Sequence, residues 1–367
     1  MMLGLMEMRN HHTTIIAEAG VNHNGDIKLA LQLIDEAKEA GADAVKFQTF
    51  CAEQLVSLSA PKANYQKQNT CNNESQFSML KKLELSHEEH WVLKLHCEKR
   101  GITFLSTPFD SMSADFLLHE MKLKTIKIAS GEITAAPLLL QIAQVQPSII
   151  LSTGMSTLGE IELALAVIAF GYLHCKEKPT EDAFMRAYYS SEGRHCLKQK
   201  VSLLHCTSDY PASFESVNLR AMDTLKSAFN LPTGYSDHTQ GISVPIAAVA
   251  RGAVIIEKHF TLDRSLPGPD HKASLESAEL KKMVTAIREV ERALGNNVKI
   301  PTQKELETKA IARKSLIAAQ LIKKGDMFTE NNVNSQRPGN GISPMNYWDY
   351  LGRTALQEYK TGELINE

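Results

Sequence analysis

His238 closes the run GYSDH and His259 closes the run VIIEKH. An imidazole at the end of an apolar run is well placed to bind a divalent ion, and two at adjacent ends leave open positions for water and substrate. A single histidine is more often a hydrogen-bonded interior residue, the reading adopted for His90 and His205. The pair, flanked by Asp237, Glu257 and Lys258, favours a metal. Lys46 in AVKFQ and Lys127 in TIKIAS form a second constellation, because an ammonium inside an apolar run is costly unless something negative meets it. The partner is either a protein carboxylate such as Glu18 or Glu132, or a small bound anion. Having both lysines beside the hydroxyls of Thr107, Ser130 and Ser152 favours a phosphate or carboxylate ligand. Glu132 and Asp270 follow the runs TIKIAS and VIIEKH, Gln48 and Tyr210 lie on the same rim, and the four match the hydroxyls of a sugar, although each alone could cap a helix or order a turn.

The elements that must position these groups are eight apolar runs: IIAE ending at Glu18, AVKFQ (44–48), ITFLST (102–107), TIKIAS (125–130), SIILST (148–153), VSLLH (201–205), PTGYSD (232–237) and AVIIEKH (253–259). Amphipathic helical stretches separate them. Asp26 opens LALQLIDEAKEA, which stops at Gly41, and Ser86 with Glu89 forms a capping box before WVLKLHCEK and Gly101. Eight strands alternating with helices predict an α/β fold, a (β/α)8 TIM barrel, with its chemistry at the carboxyl ends of the strands. A helix from Ser277 to Gly295 closes the barrel domain, 13–295. Residues 296–309, polar and containing Pro301, read as a linker in which part of KELETKAIARK could be helical. Residues 310–367, with the turns KKGD and RPGNG and a helical start at Ser343-Pro344, read as a small β-rich second domain. The polar stretch 171–200 is an insertion, and residues 1–12 a disordered extension.

Composition narrows the classes of partner. Lys and Arg number 40 against 42 Asp and Glu, a net charge of −2, which provides no broad footprint for nucleic acid or an acidic membrane. Six scattered cysteines without a CxxC pair suit reduced thiols and a cytoplasmic location, and no stretch has membrane-spanning length. His174-Cys175 and His195-Cys196 in the insertion match no familiar zinc module.

The ordered segments AEAGVNHNGD, VKFQTF, FLSTPFD, IKIASGE, ILSTGM, LLHCTSDYPA, GYSDHT, IEKHFTLD, GPDHKAS and RPGNGISP resemble the nonulosonic acid synthases, the bacterial sialic and legionaminic acid synthase group. Residues 310–367 are similar to the antifreeze-like SAF domain that follows the barrel in these enzymes. The resemblance implies a domain-swapped homodimer that condenses phosphoenolpyruvate with an N-acetylated mannosamine-type aldose, releasing phosphate. It implies a divalent metal, Mn2+ before Mg2+ or Co2+, on His238 and His259. Phosphoenolpyruvate would be held by Lys46, Thr107, Lys127, Ser130, Ser152, Ser208 and Ser236, and the sugar by Gln48, Glu132, Tyr210 and Asp270. Arg337 would reach the N-acetyl group in the partner subunit's barrel. Glu132 or Glu18 would activate water, with Glu132 preferred. Ser208 stands where sialic acid synthases often carry Asn, removing one amide contact. SGEIT, HCTSDYPA and GPDHKASLE lean toward legionaminic acid synthases, whose aldose is 2,4-diacetamido-2,4,6-trideoxymannose; N-acetylneuraminate synthesis from N-acetylmannosamine is the alternative. Two remoter readings are a Schiff-base aldolase using Lys127 or Lys258 and a non-enzymatic carbohydrate- or ice-binding protein.

Overall fold

In a strand, successive side chains point to opposite faces, so a closed ring of strands puts every second residue inside. The computed structural model describes residues 12–70 and 74–366. Eight parallel strands lie in it: β1 (Thr14–Gly20), β2 (Ala44–Thr49), β3 (Thr103–Pro108), β4 (Thr125–Ile128), β5 (Ser148–Ser152), β6 (Val201–Cys206), β7 (Thr233–Asp237) and β8 (Ile255–Thr261). Their hydrogen-bonded order is β3-β2-β1-β8-β7-β6-β5-β4, and β3 lies beside β4 to complete the ring. The chain is thus a (β/α)8 barrel followed by a small domain with an antiparallel strand pair. Each observed strand boundary falls within two residues of the expected apolar run.

The inward positions stack in layers. Ile16, Ala44, Leu105, Ile150, Leu204 and Ile255 form a separate apolar cluster that plugs the barrel floor. One step further along the strands come Glu18, Lys46, Thr107, Lys127, Ser152, Cys206, Ser236 and Glu257, and after them Gln48, His238 and His259. Outward-facing residues such as Ile15, Val45, Phe47, Ile126 and Ile256 join the main core beneath the helices.

Local sequence chemistry fixes the surrounding helices. Asp26 accepts from the Lys28 amide and Gly41, at φ 86°, ends the helix Ile27–Ala40. Ser86 and Glu89 make the reciprocal capping box of His87–Arg100. The stretch 171–200 is largely two helices, Glu181–Tyr189 and Ser191–Lys200. Phe184 packs edge-on against Phe170 at 5.1 Å, so these helices cover part of Leu158–Tyr172, ten of whose fifteen residues are buried between them and the barrel core. The chain divides into two units, Met1–Gly295 and Asn296–Glu367. Of the expected linker, 296–309, only residues 296–302 are irregular; the rest belongs to the helix Gln303–Ala312, where Thr302 and Glu305 form another capping box. In the second unit Ser315–Ala318 pairs antiparallel with Val333–Gln336 around Leu316, Phe328, Val333 and Tyr359. Of the extension expected over 1–12, only His12 is among the described residues, and it bonds Asp43 at 2.9 Å. Among the described residues no helix is long and apolar enough to cross a membrane.

Candidate active site

The polar layer is a buried ring of opposite charges. Lys46 Nζ lies 2.5 Å from Glu18 and 3.7 Å from Glu257, while Lys127 Nζ lies 3.3 Å from Glu257. Both lysines therefore have protein carboxylates as partners, and these are Glu18 and Glu257 rather than Glu132. Glu257 was read from the sequence only as a flank of His259. Strand alternation could have found it, since it shares the inward face with His259 and Ile255. Lys46 donates to Thr107 Oγ1 at 3.1 Å, and Ser236 donates to Glu257 Oε1 at 2.9 Å.

The ring is not saturated. Ser152 Oγ and Glu257 Oε2 are buried without a hydrogen bond, a state that costs about 1–3 kcal/mol per group; the hydroxyl has a proton to offer an anion, whereas the carboxylate oxygen only accepts, from water or another donor. Burial pushes the Glu18 carboxyl up to about 7 despite Lys46 beside it. Burial also opposes ionisation of Glu257, but Lys127 and Lys46 outweigh it and hold the group at about 2. Burial lowers Lys127, with Glu257 countering, whereas Glu18 and Glu257 overcome burial at Lys46 and raise it.

Above the ring sit the two imidazoles, 5.6 Å apart between centroids. His238 Nδ1 faces the Thr207 carbonyl at 2.6 Å, which puts the proton on Nδ1 and leaves Nε2 as a lone-pair donor. His259 Nδ1 is buried with no hydrogen-bond partner. Burial lowers the pKa of both, strongly for His259, so both are neutral near pH 7, the form a metal requires. A side chain at Gly20 would sit 3.5 Å from the His259 ring. Buried, neutral, with an open nitrogen on each ring, the pair fits a divalent ion. Another cluster, Cys51, Glu53 and Glu84, brings three donor atoms within 4.8 Å. Lys81 already lies 3.0 Å from Glu53 and 2.7 Å from Glu84, so its charge is met at the surface.

The remaining expected residues converge on the same cavity of about 420 Å3, which is lined by Gln48, Glu132, Tyr210 and Asp270 together with the ring and the histidines. Tyr210 stacks 4.1 Å from the His238 ring, and Gln48 Nε2 is 3.5 Å from Glu18. Burial raises Asp270 to about 6; burial and Asp110 raise Glu132. Ser130 Oγ accepts from the Gly154 amide at 3.0 Å, and a methyl at Gly154 would lie 2.4 Å from Ser208 Oγ, so that glycine lets both serines approach. Arg337 belongs to the second unit, where it is exposed directly after the strand Val333–Gln336.

Lys258 is not in the cavity. Alternation turns it outward, where it is fully buried against Asp237 at 2.6 Å and the Thr239 carbonyl. It cannot serve as the Schiff-base nucleophile of this site. Among the described residues, no metal-binding group forms around His174, Cys175, His195 and Cys196.

The fold and the site together define a (β/α)8 barrel with a buried lysine–carboxylate ring below two neutral imidazoles at the carboxyl ends of its strands. Sequence comparison narrows it: the NeuB family model matches residues 33–299 and the SAF domain model matches 313–367. The chain belongs to the NeuB family. It is 51% identical to the N,N'-diacetyllegionaminic acid synthase of Campylobacter jejuni over 97% of this chain and 99% of that one. It is 46% identical to the synthase of the same name from Legionella pneumophila, over 96% and 92%. The crystal structure of the N-acetylneuraminic acid synthetase of Leptospira borgpetersenii, in complex with citrate, superposes with a TM-score of 0.65 at 36% identity, covering 82% of this chain and 90% of that one.

Proposed function

We propose that this chain is a nonulosonic acid synthase that condenses phosphoenolpyruvate with 2,4-diacetamido-2,4,6-trideoxymannose to give N,N'-diacetyllegionaminate and phosphate. The observation that carries the reading is the unsaturated ring of Lys46, Lys127, Ser152 and Glu257 directly beneath His238 and His259. Its relatives from Campylobacter jejuni and Legionella pneumophila bear that activity in their names.

Lys46 and Lys127, with Thr107, Ser130, Ser152, Ser208 and Ser236, receive the carboxylate and phosphate of phosphoenolpyruvate. Glu18, raised to about 7, takes up a proton readily when the anion enters, leaving two lysines against Glu257 and a net positive ring. His238 and His259 would hold the divalent ion, which we assign as Mn2+; when bound, such an ion polarises the sugar's aldehyde oxygen. Gln48, Tyr210 and Asp270 orient the sugar so that C3 of phosphoenolpyruvate bonds to C1 of the aldehyde. Water then adds to C2, and phosphate leaves by C–O cleavage. Glu132 takes the proton from that water: it lines the cavity and has no ion-pair partner among the described residues, whereas Glu18 is bound to Lys46. Arg337 of the partner subunit reaches the acetamido group in a domain-swapped homodimer. We assign the work to the cytoplasm, where the thiols of Cys51, Cys97, Cys175, Cys196 and Cys206 stay reduced.

The test is phosphate release from phosphoenolpyruvate with Mn2+, offering 2,4-diacetamido-2,4,6-trideoxymannose and N-acetylmannosamine separately and identifying the product by mass. Release with the first sugar and a nine-carbon 2-keto acid product are expected. Activity that survives EDTA and is trapped by borohydride would overturn the reading in favour of a Schiff-base aldolase.

A further inference from the structure

One side of the cavity has a chemistry unlike the rest. Its floor and far rim are charged or hydroxylic, yet Phe50, Leu55, Val56, Met79, Leu80 and Phe109 line the near side. Phe109 follows β3; the rest of this wall is carried by the long excursion between β2 and the helix His87–Arg100, which includes the short helices Ala52–Leu55 and Gln76–Lys81. Phe50 and Met79 are buried in a small cluster of their own, with Leu55, Leu80 and Phe109 packed against it. The excursion is also tied to the opposite rim. Asn69 Nδ2 donates to the Pro269 carbonyl at 2.8 Å, next to Asp270, and the Tyr65 ring lies 4.9 Å from Tyr210. A sugar held between Asp270, Tyr210 and the two histidines therefore has this apolar surface as its other neighbour.

Such a surface discriminates by what it cannot offer. A hydroxyl pressed against it gives up its bonds to water and receives none in return, whereas a methyl group loses nothing and sheds its hydration. Discrimination of this kind amounts to roughly tenfold to a hundredfold for each hydroxyl or methyl that the wall meets. Resting on the synthase reading above, we propose that the face formed by Leu55, Val56 and Leu80 selects the aldose: it receives the C6 methyl and acetamido methyl of a diacetamido-trideoxy sugar and disfavours the C6 hydroxyl of N-acetylmannosamine. The wall, and not only the polar rim, makes the enzyme specific for a deoxygenated substrate.

The experiment uses the full-length enzyme with phosphoenolpyruvate and Mn2+, measuring kcat/KM for both sugars in wild type, Val56→Thr and Leu80→Gln. Val56→Thr exchanges a methyl for a hydroxyl at nearly constant volume, so it keeps the test open should Leu80→Gln fail to fold. The expected result is a fall of about tenfold in the preference for the diacetamido sugar in each folded variant, with the KM for phosphoenolpyruvate unchanged. If wild type prefers the diacetamido sugar but both variants keep its ratio within about twofold, the wall is packing only and the synthase reading stands. If wild type turns over neither sugar, the synthase reading falls and takes the wall's role with it.

Discussion

Strands β7 and β8 carry two buried lysine–carboxylate clusters, one on each face, and they differ in how completely their polar atoms are used. On the outer face, Asp237 accepts from the Tyr235 hydroxyl, the Thr239 amide, the Thr239 hydroxyl and the Lys258 ammonium. Every lone pair is engaged. On the inner face, Glu257 meets Lys127 and Ser236 through one oxygen, and its other oxygen has no hydrogen bond and only Lys46 at 3.7 Å. Burial alone does not separate the two, since all five charged groups are almost inaccessible. Satisfaction does. A saturated pair has nothing left to give a ligand and its work is to hold β7 against β8, while an unsaturated one keeps polar capacity that water or a ligand can still meet.

Three substitutions break or sharpen this contrast. Lys127→Met should lower kcat/KM for phosphoenolpyruvate by roughly a thousandfold, about 4 kcal/mol, the scale of a buried charge partner removed from a bound anion. Its thermal stability should change little, because Glu257 keeps Lys46 and Ser236. Lys258→Met should do the reverse, costing about 3–5 kcal/mol in urea unfolding by stranding a buried Asp237. The double variant Asp237→Asn/Lys258→Met, which strands no charge, should recover most of that stability. A large loss of stability in Lys127→Met with normal kinetics would erase the distinction between the faces.

The smallest of the three effects is a pH dependence. Asp270 is raised from 3.8 to about 6 by burial, so the folded chain holds its proton over a range where the unfolded chain has lost it. Stability therefore falls as pH rises from about 4 to about 6 and stays lower above that, by about 3 kcal/mol. Asp270→Asn should remove this slope, raising the urea midpoint at pH 8 and leaving it nearly unchanged at pH 4. An equal shift at both pH values would show that Asp270 is not held protonated by burial.

Much of the barrel was legible because its signals are local. Apolar runs, the Asp26 and Ser86 caps and the stops at Gly41 and Gly101 each act within a few residues of themselves, and the histidines at run ends follow from the same alternation. Partner identity was less legible, because it depends on register between strands far apart in sequence. Lys46 meets Glu257 across more than half the chain, and Lys258 reads as a barrel lysine until alternation turns it outward. The apolar wall was invisible for a related reason. Leu55, Val56 and Leu80 look like ordinary core residues, and they line the cavity through long-range ties of the excursion such as Asn69 to Pro269 and Tyr65 to Tyr210.

The most direct test of the unsaturated inner face is a titration of Mn2+ into the metal-free enzyme, with and without phosphoenolpyruvate, followed by electron paramagnetic resonance. The account predicts one bound ion per chain, lost in His238→Ala and in His259→Ala and retained in Cys51→Ala. Binding that survives both histidine substitutions, or that disappears with Cys51, would contradict it.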